Sequence, residues 1–197
     1  MSFASVAASS PPRLLILGDS LSSAHHIPIE RGWVALLETR LREKAPKTAP
    51  EVVNAAISGE TTSGGIARLP ALLGQYQPRW MVLELGANDA LRGLPLTEIR
   101  ANLANLVRQA REKKVEVLLV GIEIPINYGP QYRDGLRNLY RDVAAEFNVP
   151  LVPFLLEGVA QDESLLQDDG LHPRAEAEPR VLDNVWPQLA PLLKIKL

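Results

Sequence analysis

Histidine is a scarce residue type in this chain, and the position of one histidine points to nucleophilic catalysis. The sequence contains three histidines, His25, His26 and His172. Only His172 follows a carboxylate by three residues, Asp169, with the turn-forming Gly170 between them. A serine hydroxyl becomes an effective nucleophile near neutral pH when an imidazole removes its proton and a carboxylate orients that imidazole. One loop therefore offers both a candidate base and its orienting acid.

The candidate nucleophile for this base is Ser20, in the tetrapeptide Gly18-Asp19-Ser20-Leu21 directly after an apolar run. Attack on a carbonyl also develops an oxyanion, and hydrogen-bond donors fixed in advance stabilise that charge. Three donors are candidates: the backbone amides of Ser20 and Gly59 and the side-chain amide of Asn88. Together these residue types predict acyl-transfer chemistry.

Each of these signals also has a purely structural interpretation. A Gly-Asp-Ser turn after a strand is common, and Gly59 could simply occupy a position with positive φ. Asn88 and Asp89 alone are more often a turn or a helix cap, and His172 before Pro173 could be a surface loop residue. The functional interpretation depends on coincidence, because four signals in chain order supply nucleophile, oxyanion donors, acid and base.

Composition excludes several other functions. The chain of 197 residues has 21 basic and 23 acidic side chains mixed along it, which argues against a nucleic-acid partner. The absence of cysteine removes disulfides, thiolate catalysis and thiolate metal ligands. No run approaches the roughly 20 apolar residues of a membrane span. We expect a flexible arm over residues 1–12, rich in Ala, Ser and Pro, before a single domain over residues 13–197.

Five short apolar runs alternate with stretches of helical period, a pattern typical of parallel strands joined by helices in an α/β fold. The runs cover residues 14–17, 52–53, 81–83, 117–120 and 151–152, and each is apolar enough for a strand buried on both faces. Polar residues follow the strands, where the carboxyl ends of parallel strands form a ligand-binding rim. We therefore expect the candidate residues to meet at this rim.

Helical spacing marks three packing faces between the strands. They consist of Trp33, Leu36, Leu37 and Leu41; of Ile99, Leu103, Leu106 and Ala110; and of Leu136, Leu139, Tyr140, Val143 and Phe147. Thr97 is a candidate cap for the helix that carries Ile99. The last segment, from about residue 175, contains Pro179, Pro187 and Pro191, which predicts a kinked or broken helix.

The ordered set of motifs resembles the four blocks of the GDSL, or SGNH, hydrolases. The blocks are Gly18-Asp19-Ser20-Leu21, Gly59, Gly86-Ala87-Asn88-Asp89 and Asp169-Gly170-Leu171-His172-Pro173. The likeness covers nearly the whole chain beyond the arm. Residues 58–61, 67–73, 77–80 and 127–129 are most similar to the bacterial multifunctional esterase branch known as thioesterase I, protease I and lysophospholipase L1.

The resemblance implies roles for individual residues. Ser20 would be the nucleophile, Asp169 and His172 would complete the triad, and Gly59 and Asn88 would complete the oxyanion hole. The loop around Ile124, Pro125, Ile126, Asn127 and Tyr128 would help to line an acyl groove, because its apolar side chains could bury a hydrocarbon chain.

The resemblance also implies an architecture and a setting. The fold would be a three-layer α/β/α sandwich with a flavodoxin-like parallel sheet in the order 2-1-3-4-5. The substrate would be a small acyl ester or thioester, including lysophospholipids, and no cofactor or metal would be required. We expect a monomer in the periplasm, with the cytoplasm as the alternative compartment.

Two features depart from this branch. Residues 22–28 form a bulkier and stiffer loop after the nucleophile, which could change substrate entry. Arg174 and Glu178 would place a charged pair on the surface near the catalytic loop.

Two other functions stay open. One is carbohydrate deacetylation by the same constellation, although Trp33, Trp80 and Trp186 fall in or beside predicted core elements and offer no evident sugar platform. The other is a non-catalytic α/β binding module. A metal site at His25 and His26 lacks the ligand spacing of known metal sites.

Overall fold

A five-stranded parallel sheet forms the centre of the computed structural model, which describes residues 11–196. Its strands are β1 (Arg13–Gly18), β2 (Glu51–Asn54), β3 (Trp80–Glu84), β4 (Glu116–Val120) and β5 (Leu151–Val152). They lie in the order β2-β1-β3-β4-β5, which confirms the predicted order and the α/β class. The predicted arm lies outside the described residues, except for its last two positions, Pro11 and Pro12.

Within residues 11–196, six α-helices connect and cover the strands. They are α1 (Trp33–Lys44), α2 (Thr62–Tyr76), α3 (Ala87–Leu91), α4 (Leu96–Glu112), α5 (Pro130–Phe147) and α6 (Glu178–Leu192). Helices α1 and α6 pack on the face of the sheet that includes Leu14 and Ile16, and α2, α4 and α5 pack on the face that includes Leu15 and Leu17. Alternate residues of one strand thus enter two separate cores, as expected for a sheet covered on both sides.

The predicted apolar stripe of α4 is fully buried. Ile99, Leu103, Leu106 and Ala110 have no exposed surface. Thr97, however, is not the cap, because α4 begins one residue earlier, at Leu96, and no side chain caps it. The proposed cap therefore lies inside the first turn of the helix.

Two further predictions about the elements are wrong. Strand β2 is not buried on both faces, because it lies at the edge of the sheet and all four of its residues keep solvent exposure. The proline-rich segment is not broken, since α6 is continuous from Glu178 to Leu192. Pro179 lies in the first turn, where its missing N–H costs no hydrogen bond. Burial of Val181, Val185 and Leu189 stabilises the rest of the helix.

The sheet brings two chain segments together at its carboxyl edge. Gly18, the last residue of β1, lies opposite Glu84, the last residue of β3. The loop that carries Ser20 therefore starts beside the loop that carries Asn88, at the switch point between neighbouring strands. None of the helices formed within residues 11–196 is long and apolar enough to cross a bilayer.

Candidate active site

Three side chains from the two ends of the chain form a continuous hydrogen-bonded series. The Nε2 atom of His172 lies 2.8 Å from the hydroxyl of Ser20. The Nδ1 atom of the same ring lies 2.6 Å from Oδ2 of Asp169. The structure thus brings together the three residues that the sequence analysis selected as nucleophile, base and acid.

Backbone amides of the same loop fix the carboxylate of Asp169 beside the imidazole. Oδ1 of Asp169 accepts hydrogen bonds from the backbone amides of Leu171, at 2.9 Å, and His172, at 3.0 Å, across the left-handed turn at Gly170. Partial burial alone would raise the pKa of Asp169, but these two amides and the imidazole outweigh it and lower the pKa to about 2. An ionised Asp169 accepts from Nδ1–H, and this leaves Nε2 free to accept the serine proton.

Close packing explains why a glycine precedes the nucleophile turn. A Cβ atom at Gly18 would lie 2.8 Å from both the carboxyl of Glu84 and the side chain of Ser22. Beyond it, Oδ1 of the fully buried Asp19 accepts the backbone amide of Leu21 at 3.0 Å. The carboxylate of one chain neighbour of Ser20 therefore holds the backbone amide of the other.

The three candidate oxyanion donors are in different states. The backbone amides of Ser20 and Gly59 form no hydrogen bond within residues 11–196, and Gly59 has φ of 81° with open space around it. The side-chain amide of Asn88 instead donates to Oδ2 of Asp19, at 3.1 Å, and to the carbonyl of Glu60, at 2.9 Å. Asn88 can therefore bind an oxyanion only if one of these two bonds is exchanged or shared.

Asp89, the neighbour of Asn88, has a structural contact. Its carboxyl accepts the backbone amide of Thr62 at 2.9 Å and the Thr62 hydroxyl at 2.5 Å. Thr62 is the first residue of α2, so Asp89 joins the start of α2 to α3. This link holds the segment with Gly59 close to the segment with Asn88.

A second imidazole lies against the candidate base, which the sequence analysis did not foresee. The His25 ring is 4.4 Å from the His172 ring and stacks on His26 at 3.8 Å between ring centroids. Its Nδ1 atom is 3.2 Å from the hydroxyl of Ser58. Burial lowers the pKa of His25, and the charges of His172 and His26 lower it further. These effects favour the neutral form of His25 beside the candidate base.

Within residues 11–196, no group of three or more His, Cys, Asp or Glu side chains is arranged to hold a metal ion. The rings of His25 and His26 are stacked on each other.

A cavity of about 760 Å³ opens beside the loop of Asp169. Its lining includes Ile124, Pro125, Ile126, Phe154, Leu156 and Leu171, with the charged Glu123, Arg133 and Arg174 among them. A volume of this size suits a small ligand. Of the five loop residues expected to line an acyl groove, Ile124, Pro125 and Ile126 line the cavity, whereas Asn127 and Tyr128 do not. The Tyr128 hydroxyl donates instead to the carbonyl of Leu91 at 2.8 Å.

The expected surface pair of Arg174 and Glu178 does not form. Arg174 pairs with the exposed Asp168 at 2.8 Å. Glu178 is buried, and its carboxyl accepts the backbone amide of Trp33 at 2.8 Å. Burial raises the pKa of Glu178 to about 7, against the effect of that hydrogen bond. The reason for the error is that Glu178 begins α6 and faces the start of α1 rather than solvent.

Comparison with known proteins identifies a family for most of the chain. The model of the GDSL-like lipase/acylhydrolase family matches residues 16–178. Esterase TesA of Pseudomonas aeruginosa is 48% identical over 180 residues, which are 91% of this chain and 89% of that protein. Thioesterase 1/protease 1/lysophospholipase L1 of Escherichia coli K12 is 43% identical over 91% of this chain and 84% of its own length. A crystal structure of TesA has a TM-score of 0.88 at 48% identity and covers 91% of this chain and 99% of its own.

Proposed function

The chain belongs to the GDSL-like lipase/acylhydrolase family, and on that basis we propose that it hydrolyses carboxylic esters, acyl thioesters and lysophospholipids with Ser20 as nucleophile. The observation that carries this proposal is the series of contacts at 2.6 Å and 2.8 Å that joins Asp169, His172 and Ser20. The relatives named esterase and thioesterase support the reaction class.

The reaction follows from the geometry in two halves. Ser20 Oγ attacks the carbonyl carbon while Nε2 of His172 takes its proton, and the imidazolium is stabilised by the ionised Asp169. The tetrahedral intermediate then collapses, and His172 returns that proton to the departing alkoxide or thiolate. In the second half a water gives its proton to His172 and attacks the acyl group on Ser20. The acid is released and the serine hydroxyl is restored.

Of the three donors proposed to bind the oxyanion, two are free and one is already hydrogen-bonded in the structure without substrate. The backbone amides of Ser20 and Gly59 have no hydrogen-bond partner within residues 11–196, so they can donate to the oxyanion without rearrangement. Asn88 becomes the third donor when its bond to the Glu60 carbonyl or to Asp19 is exchanged for one to the oxyanion. An oxyanion is the stronger acceptor for this exchange than the neutral Glu60 carbonyl.

The cavity beside the catalytic loop is our candidate acyl groove. Ile124 and Pro125 provide apolar lining near Leu171, one residue from the base. Each methylene buried there contributes about 0.8 kcal/mol, so longer acyl chains gain affinity. Because Asn127 and Tyr128 lie outside this lining, their proposed role is to shape the loop that carries Ile124.

We further propose a periplasmic location and a monomeric state, both supported by the resemblance to the bacterial multifunctional esterase branch. Cell fractionation tests the location, with recovery in the cytoplasm as the contrary result. The mass measured by light scattering after size exclusion tests the monomer.

A substrate panel tests the proposed function. It consists of a medium-chain aryl ester, a thioester and a lysophospholipid with the same acyl chain, and acetylated xylan, each with wild type and Ser20→Ala. We expect turnover of the acyl substrates that is lost in Ser20→Ala. Preferential release of acetate from xylan would instead indicate a carbohydrate esterase, and no turnover at all would indicate a binding module.

A further inference from the structure

A buried glutamate lies beneath the nucleophile turn, and the reaction described above does not use it. Glu84 ends strand β3 and has no exposed surface. Its Oε2 atom accepts the hydroxyl of Ser22 at 2.7 Å and the backbone amide of Asp19 at 3.2 Å. Both donors belong to the turn that carries Ser20. Glu84 is therefore fixed to the nucleophile turn by two contacts across 62 and 65 residues of sequence.

The second oxygen of this carboxyl indicates its protonation state. Oε1 of Glu84 is buried and accepts no hydrogen bond within residues 11–196. A buried carboxylate oxygen without a donor is costly. A proton on Oε1 would turn this oxygen into a donor, and the cost is then removed only if an acceptor lies within reach. Asp19, whose side chain shares a hydrogen bond with Glu84, supplies that acceptor.

The electrostatics of the pair agree with this geometry. Burial raises the pKa of Glu84 well above its ordinary value, and the charge of Asp19 raises it further. Burial also raises the pKa of Asp19, to about 6, although the Leu21 amide and the charge of His172 oppose it. The buried Tyr140 also lies near the two carboxyls, because burial and the charges of Glu84, Asp19 and Asp89 together raise its pKa well above the ordinary value. Two such buried carboxyls do not ionise together.

We propose that Glu84 is held as a neutral acid that donates its proton to Asp19, and that this pair positions Ser20 and Asn88 for the reaction. Asp19 then acts only as an acceptor: from Leu21 at Oδ1, from Asn88 at Oδ2 and from Glu84. One carboxylate thereby ties the nucleophile turn to an oxyanion donor. Glu84 fixes the orientation of that carboxylate, so it is a positioning residue.

The positioning role rests on the proposed function, and kinetics of matched variants test it. Glu84→Gln keeps an acceptor for Ser22 and a donor for Asp19, so it should retain kcat within a few-fold. Glu84→Leu removes both and should lower kcat about 100-fold with KM nearly unchanged, because misplacement of reacting groups by about 1 Å costs this much. Asp19→Asn should show the same loss. Glu178→Gln alters another buried glutamate, which bonds the backbone amide of Trp33 and neither Asp19 nor Ser22, so this control should match wild type.

The protonation state has a test that does not need turnover. In a Glu178→Gln background near neutral pH, the infrared spectrum of resting enzyme should contain the carbonyl band of a protonated carboxylic acid. That band should be absent after Glu84→Gln. If the band is absent from Glu178→Gln itself, Glu84 is not a neutral acid, even if the enzyme is fully active. If the band is present and is lost on Glu84→Gln, the neutral acid is supported even if no substrate is turned over.

Two kinetic results would overturn the positioning role: Glu84→Leu with unchanged kcat, or Glu84→Gln as impaired as Glu84→Leu. Thermal unfolding of each variant identifies a loss caused by misfolding. If Glu84→Leu does not fold, the comparison of Glu84→Gln with Asp19→Asn decides, since only Asp19→Asn should lose kcat.

Discussion

The imidazole of His172 lies with Nε2 2.8 Å from the hydroxyl of Ser20, although 152 residues separate them in the chain. His172 follows β5 and Ser20 follows β1, so the sheet rather than local sequence creates this contact. The acid is held differently, because Asp169 shares a loop with His172. Asp169 and His172 thus form a local pair, and the fold places this pair beside Ser20.

Asp169→Asn should lower kcat by about 10⁴-fold with little change in KM, because an amide at this position favours the wrong tautomer of His172. Steady-state kinetics on a medium-chain aryl ester measure the effect. Asp168→Asn is the matched control, since Asp168 is the preceding carboxylate but pairs with Arg174 on the surface. Equal activity of the two variants would remove Asp169 from the proposed triad.

Asn88→Ala should lower kcat by about 10²- to 10³-fold if its amide binds the oxyanion. Because Asn88 also bonds Asp19 and Glu60, unfolding should become easier by about 1 kcal/mol. Asn184→Ala serves as control, since the Asn184 amide also donates to two partners, the carbonyls of Leu155 and Glu157. Chemical denaturation and kinetics together separate the effects, and full turnover by Asn88→Ala would contradict the oxyanion role.

Much of the fold was predictable because burial follows sequence periodicity. The stripe from Ile99 to Ala110 recurs at helical spacing and is buried as a result. The pairing of Asp169 with His172 was predictable for a similar reason, since three residues and a glycine place both on one turn. In these cases the partners are close in sequence.

The errors and omissions share the opposite property. Glu84 ends an apolar run, and nothing near it in sequence shows that its contacts are Asp19 and Ser22, more than 60 residues earlier. Glu178 was interpreted as a surface charge because its partner, the amide of Trp33, lies 145 residues away. Tertiary contacts decided these positions, as they did for the proline-containing helix α6.

Glu178 should make stability depend on pH. Its pKa is raised from 4.5 to about 7 in the folded protein, so the folded chain retains a proton that the unfolded chain releases. Stability should therefore be greatest below about pH 4.5 for this group and decrease as pH rises to about 7, by up to about 3 kcal/mol. Denaturation of wild type and Glu178→Gln across this range measures it. A parallel pH dependence in both proteins would contradict the assignment.

The acyl groove should discriminate by chain length. Ile126 lines the cavity and is 80% exposed, so Ile126→Asp introduces a charge without disturbing the core. We expect KM for a long-chain ester to increase several-fold, because a charge opposes burial of methylene groups, while an acetyl ester is unaffected. Ile29→Asp changes a similarly exposed isoleucine that lies outside the cavity lining. An equal effect on short and long esters would place the acyl chain elsewhere.

Labelling with a fluorophosphonate, followed by peptide mapping, tests the central claim most directly. We expect stoichiometric modification of Ser20 in wild type, none in Ser20→Ala, and unchanged modification of Ser20 in Ser58→Ala, where the altered serine contacts His25 at the same rim. Labelling at another residue, or equal labelling of Ser20→Ala, would contradict the assignment of Ser20 as the nucleophile.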